Sequence, residues 1–201
     1  MEINISHTDE ERELNNIHTL LLENLKPYEV VSLNDFKYYV KNYHKIYHGE
    51  KYIAYKIDCD GELIGALTGL ILNEFIFMDY LVVTKKHRKL SKEIFGKIKT
   101  TLSQYNKPIV IESETENLCR LYQILGFNRF NEPYKYHTLT VDFINKKSYV
   151  NSYNSNLMYL NNKKMDFETT KKIVYEKYYL RWNNIYTDYY LKEYKEKIYN
   201  Q

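Results

Sequence analysis

The sequence predicts a mixed α/β (α+β) fold, in which a mostly antiparallel central sheet is flanked by helices and followed by a helical C-terminal extension. Three features predict it. Two amphipathic helical segments follow a short first strand, three strand-like segments then succeed one another across turn residues, and the third leads through a helical segment into a further buried strand. Neighbouring strands joined by tight turns run antiparallel, whereas a strand-helix-strand crossover makes its two strands parallel.

Element by element, "EINIS" alternates apolar and polar residues and reads as the first strand, with Thr8 or Asp9 as the cap of a following helix. Leu14, Ile17, Leu21 and Leu25 recur at helical spacing up to Pro27, which cannot continue a helix, so this one ends near Leu25. A second helix carries Phe36, Tyr39, Val40 and Tyr43, capped by Ser32 or Asn34. "KYIAYKID", "ELIGALTGLIL" and "EFIFMDYLVV" are strands. Asp60-Gly61 joins the first two as a hairpin, and Asn73 turns the chain between the second and third. Leu90, Ile94, Ile98 and Leu102 define the face of the crossover helix, and "KPIVIES" is the buried strand beyond it. "TENLCRLYQIL" places Leu118, Leu121, Tyr122 and Leu125 on one helical face and stops at Gly126, a natural C′ residue. "YKYHTLTVDF" is a final alternating strand.

A chain of 201 residues suffices for one sizeable core with an appendage, and its 44% hydrophobic and 27% charged content is that of a folded globular protein. The acidic start "MEINISHTDEERE" has no secretory pattern and no long apolar run follows, so the expected location is the cytoplasm and no membrane is involved. Cys59 and Cys119 are too few for a disulfide framework or a zinc cage, and the six histidines form no metal-binding spacing, so no metal is expected. The absence of a Gly-x-Ser-x-Gly elbow or a Walker loop argues against a hydrolase or a kinase. Beyond residue 145 the chain turns basic, with 11 Lys and Arg against 6 Asp and Glu, and it holds 11 of the 23 tyrosines there. A boundary is therefore placed between a domain at 1–144 and an extension at 145–201 containing two helices, from about Asp166 to Trp182 and from about Asn184 to Tyr199.

At "MDYLVVTKKHR", "IVIES" and "RLYQILGF" the chain resembles the GNAT superfamily of N-acetyltransferases, over roughly residues 1–144. Tyr122-x-x-x-Gly126-Phe127 matches the family's Tyr-x-x-x-Gly-Phe ending, and the order of elements agrees. The family's turn of the form Arg/Gln-x-x-Gly-x-Gly/Ala is altered. Aligned by helix face, Lys86 takes the Arg/Gln position, Lys89 the first glycine and Ser91 the second; aligned by strand, Arg88 takes the Arg position and the turn is about two residues short. Either way the glycines are gone. The resemblance implies acetyl-CoA as cosubstrate, held by Leu81, Val82 and Val83 at the end of the strand and by Arg88, Lys89, Leu90, Ser91 and Lys92 around a helix N-terminus. A lysine at a glycine position either forbids positive φ or replaces backbone donors with side-chain charge.

The chemistry implied is transfer of an acetyl group to a primary amine by direct attack in a ternary complex. Such an amine is mostly ammonium near neutrality, so a base must take its proton. Asp79 is the one carboxylate in "FIFMDYLVV", where alternation puts Phe75, Phe77, Asp79 and Leu81 on one face and Ile76, Met78, Tyr80 and Val82 on the other. A charge in a buried strand needs a partner or a role, so the alternative is an ion pair with a nearby Lys or Arg. Glu112 is a second candidate, with Glu114, for holding a cationic acceptor at the end of the next strand. Tyr122 matches the family tyrosine that protonates the leaving thiolate; its plainer role is packing in the stripe of Leu118, Leu121 and Leu125. His87 reads as a surface residue. Tyr186, Tyr190, Tyr194 and Ile198 form a stripe expected to dock on the core or on a second subunit, as in a homodimer. The tail's modest charge argues against nucleic acid. The competing reading is a noncatalytic binding module that keeps the fold and works through its tail. The acceptor's identity is not encoded in any motif.

Overall fold

The computed structural model describes residues 2–26, 29–142 and 147–179. They divide into two compact units, Met1–Ile111 and Glu112–Gln201.

In the first unit the chain runs β1 (Ile3–His7), α1 (Glu11–Asn24), α2 (Leu33–Ile46), β2 (Lys51–Cys59), β3 (Glu62–Ile71), β4 (Ile76–Val83), a 3-10 turn (Lys85–Leu90), α3 (Ser91–Ser103) and the start of β5 (Ile109–Ser113). Strands β1 to β4 pair antiparallel in chain order, and β5 lies parallel to β4. Asp60 and Gly61 both have positive φ, 49° and 84°, the geometry that a two-residue hairpin matching the strand twist requires. The α2 start is capped as expected: Ser32 Oγ accepts from the Asp35 N–H at 3.2 Å and donates to Asp35 Oδ2 at 2.8 Å. The α1 cap differs. Its N-cap is Glu10 without a side-chain bond, because Thr8 Oγ1 is occupied by the Glu10 N–H two residues on. Leu14, Ile17 and Leu21 of α1, Phe36, Tyr39 and Tyr43 of α2, and Ile94, Ile98 and Leu102 of α3 are buried, as their helical spacing demands.

The second unit contains the end of β5, then α4 (Glu116–Ile124), β6 (Asn128–Arg129), β7 (Tyr134–Asp142), β8 (Lys147–Leu160) and α5 (Phe167–Lys177). Strand β8 pairs antiparallel with both β6 and β7. This corrects the expectation of a wholly helical extension after a boundary near residue 144. The segment after residue 146 is a strand: Leu157, Met158 and Tyr159 are core residues, and its tyrosines suit a pleated, half-buried surface. The first expected tail helix exists as α5, with Asp166 as N-cap accepting from the Thr169 N–H at 2.8 Å. The second, from Asn184 to Tyr199 with its tyrosine stripe, lies outside the described residues. No helix among the described residues is long and apolar enough to cross a membrane.

Candidate active site

Strand β4 carries a break in its register with β3. Its register with β3 steps from Gly69↔Met78 to Thr68↔Tyr80, so Asp79 is the extra residue of a β-bulge. Gly69 makes the bulge feasible: a Cβ there would meet the Phe77 carbonyl oxygen at 2.3 Å, closer than any side chain tolerates. Gly65 plays the same part further along, where a Cβ would meet the Val82 carbonyl at 2.6 Å. The burial pattern keeps the alternation expected from the sequence from Met78 onward but not before it. Phe77 and Met78 are both buried, then Tyr80 and Val82 are buried while Asp79, Leu81 and Val83 are half-exposed.

Parallel pairing of β4 with β5 covers only Ile76–Met78 against Ile109–Ile111. Beyond the bulge, the β5-side edge of Leu81, Val82 and Val83 has no ladder partner among the described residues. Backbone N–H and C=O groups on such an edge are available to a ligand that can lie along them. The Asp79 carboxylate accepts a hydrogen bond from the Tyr52 hydroxyl.

The basic segment after β4 resolves as a 3-10 turn running directly into α3. The His87 N–H donates to the Thr84 carbonyl at 2.9 Å, the Ser91 N–H donates to the Arg88 carbonyl, and Ser91 Oγ turns back to the same carbonyl at 2.6 Å. No residue of the turn has positive φ. The segment, rich in lysine and without glycine, thus takes a right-handed helical path in which the His87 and Ser91 amides bond within the turn. Lys85, Arg88, Lys89 and Lys92 are exposed and have no ion-pair partner among the described residues, while Lys86 pairs with Glu62 at 3.3 Å. Leu90 and Ser91 are half-exposed at the junction. His87 is half-buried against Thr84, with Nδ1 2.9 Å from Thr84 Oγ1.

In the second unit, Glu112 is the hub of a tyrosine cluster. Tyr134 donates to Glu112 Oε1, and Tyr179 lies 2.6 and 2.8 Å from its two carboxylate oxygens. Both tyrosines are buried, and burial, then the Glu112 charge, raises both phenols well above the usual range. No sequence motif points to this engagement, because Tyr179 is 67 residues away in the chain. Glu114 is exposed.

Tyr122 sits at the C-terminus of α4, and the motif around it is a helix stop. The Phe127 N–H reaches the Tyr122 carbonyl at 3.0 Å and the Gly126 N–H reaches Gln123 at 2.9 Å, with Gly126 at φ 97°. These two bonds are those of a Schellman ending, and the Tyr122 and Phe127 rings, 5.5 Å apart, make the apolar contact that accompanies it. Desolvation pushes the Tyr122 phenol up to about 12, so it remains protonated at any physiological pH. The expected core stripe of α4 is not core. Leu118 and Leu121 are each 41% exposed and Ile124 77%, whereas Cys119 is the residue of this helix that is buried.

No family model matches the chain, and no curated protein does. Solved structures do. A GNAT-family protein from Bacteroides thetaiotaomicron is 18% identical with a TM-score of 0.65, over 87% of this chain and 96% of that one. The ribosomal-protein-S18-alanine N-acetyltransferase of Escherichia coli is 14% identical with a TM-score of 0.57, over 83% of this chain and the whole of that one. A chimera of the Vibrio cholerae spermidine N-acetyltransferase is 19% identical with a TM-score of 0.53, over 80% of this chain and 95% of that one. At these identities the likeness shows the fold, which is that of the GNAT N-acetyltransferases.

Proposed function

We propose that this chain of GNAT fold is an acetyl-CoA-dependent N-acetyltransferase whose acceptor is a primary amine. The observation that carries the reading is the bulge at Asp79, after which Leu81, Val82 and Val83 offer an edge without a ladder partner to a ligand. The family's fold implies a cosubstrate with an extended amide-bearing arm, and such an arm suits a backbone edge of this kind. Its diphosphate suits the exposed cations Arg88, Lys89 and Lys92 at the start of α3, with Leu90 and Ser91 beside them. Acetyl-CoA supplies the activated acyl group.

Asp79 then takes the proton from the attacking amine. As the new C–N bond forms and the C–S bond breaks, Tyr122 returns a proton to the departing thiolate. Its raised proton affinity keeps that proton available. Glu112 is the second carboxylate, in the role of holding a cationic acceptor. The neighbours above include enzymes named for spermidine and for an alanine of ribosomal protein S18, so small amines and peptides both belong in the screen.

The noncatalytic alternative is favoured by one observation, the use of the turn's own amides in a 3-10 helix. One pair of measurements separates the two. Acetyl-CoA at a hundred times its Kd adds about 2.7 kcal/mol to stability, a rise of several degrees in Tm. The acetyltransferase reading expects that rise and amine-dependent thiol release; no rise with millimolar acetyl-CoA, and no heat in calorimetry with CoA, supports the binding module instead.

A further inference from the structure

The Asp79 carboxylate has a neighbour that no sequence motif singles out. Tyr52 of β2 is 2% exposed, and its hydroxyl donates to Asp79 Oδ2. The same hydroxyl lies 3.3 Å from Thr68 Oγ1, a side chain with no solvent exposure. A phenol has one proton. With that proton on the carboxylate, the Thr68 hydroxyl is left to donate to the Tyr52 oxygen, and the three groups form a directed chain across β2, β3 and β4. The Tyr52 ring is fixed as well, by Phe36 edge-on at 6.2 Å and Tyr39 at 6.0 Å. The bulge completes the arrangement, since it sets Asp79 between the rungs of Gly69 and Thr68.

We propose that Tyr52 is the positioning residue for Asp79 in acetyl transfer: its hydroxyl, oriented by Thr68 and by the flanking rings, fixes the rotation of the carboxylate within the bulge. The proposal rests on the acetyltransferase reading and on Asp79 as the base. A base displaced by about an ångström loses on the order of a hundredfold in rate. Charge-assisted hydrogen bonds such as this one are the strong ones, and a buried hydroxyl left without its partner is costly.

The test is a mutant cycle on the full chain. Tyr52→Phe, which keeps the ring and its packing, is expected to lower kcat about ten- to a hundredfold while the Kd for acetyl-CoA stays the same. In an Asp79→Asn background it is expected to have no further effect, because a residue acting through Asp79 has nothing left to position. Thr68→Val, nearly isosteric, is expected to show a smaller loss that also vanishes in Asp79→Asn. Proton NMR of the ligand-free protein supplies a readout besides turnover: a slowly exchanging tyrosine hydroxyl signal, absent in Tyr52→Phe and displaced in Asp79→Asn. If the losses multiply instead of saturating, or if Asp79→Asn leaves that signal in place, the positioning role is overturned and the enzyme reading survives. If the signal behaves as described but no amine releases thiol and acetyl-CoA does not bind, the acetyltransferase reading fails and this role fails with it.

Discussion

Tyr122 closes the end of a helix and, in the proposed function, is also the proton donor to the leaving thiolate. Its ring packs on Phe127 as part of the α4 stop, and its carbonyl accepts the Phe127 N–H. Tyr122→Phe keeps both of these and deletes the proton donor alone. The expected result is an unchanged Tm, an unchanged Kd for acetyl-CoA and a kcat lower by about a hundredfold, read by thiol release and calorimetry. Gly126→Ala separates the other half of the motif. With φ at 97° a Cβ is strained, so stability should fall by about 1–2 kcal/mol in denaturant titration. The motif was legible in the sequence because a glycine directly after the last apolar residue of a helical segment, here Leu125, is a natural helix stop. The partners of Asp79 and Glu112 were not legible, since Tyr52 and Tyr179 reach them across the sheet and across 27 and 67 residues of chain.

Among the elements, strands, hairpin and crossover could be read from alternation, from Asp60-Gly61 and from the spacing of Ile94, Ile98 and Leu102. The β4 bulge could not. Its sequence alternates without a break, and the information sits on the neighbouring strand, in the absence of a Cβ at Gly69. Strand β8 is hidden for a different reason: its run of Asn and Ser masks the alternation of a strand, although Leu157, Met158 and Tyr159 are core residues. The basic turn could be read from its run of cations before a helix, but its hydrogen bonds could not. In the proposed function the side chains of Arg88, Lys89 and Lys92 take the place of backbone donors, so binding of acetyl-CoA should weaken steeply as salt is raised. Replacing Arg88 and Lys89 together by alanine should cost about 1–2 kcal/mol of binding, a factor of about 5–30, and flatten the salt dependence, as calorimetry at two ionic strengths would show.

Taken as a whole, the molecule buries phenols on a scale that sets its response to alkali. Burial raises the phenols of Tyr55, Tyr122, Tyr134, Tyr175 and Tyr179, with Tyr122 at about 12. The unfolded chain therefore releases these protons first, near the ordinary tyrosine value of about 10. Their contribution to stability is complete below that pH and is lost as pH climbs through the native values. Unfolding free energy should accordingly be level with respect to these groups up to about pH 9 and fall steadily above about pH 10. The tyrosinate absorbance contributed by these five phenols should appear together with loss of structure. The tyrosines around Glu112 carry one more consequence. Tyr175 and Tyr179 belong to the last described helix and the residues after it, and they bind the Lys135 carbonyl and the Glu112 carboxylate. Proteolytic trimming just ahead of Asp166 would strip a half-buried acid of one of its phenol donors and bare Tyr134, so a shortened product should be recovered as aggregate rather than as a smaller soluble protein.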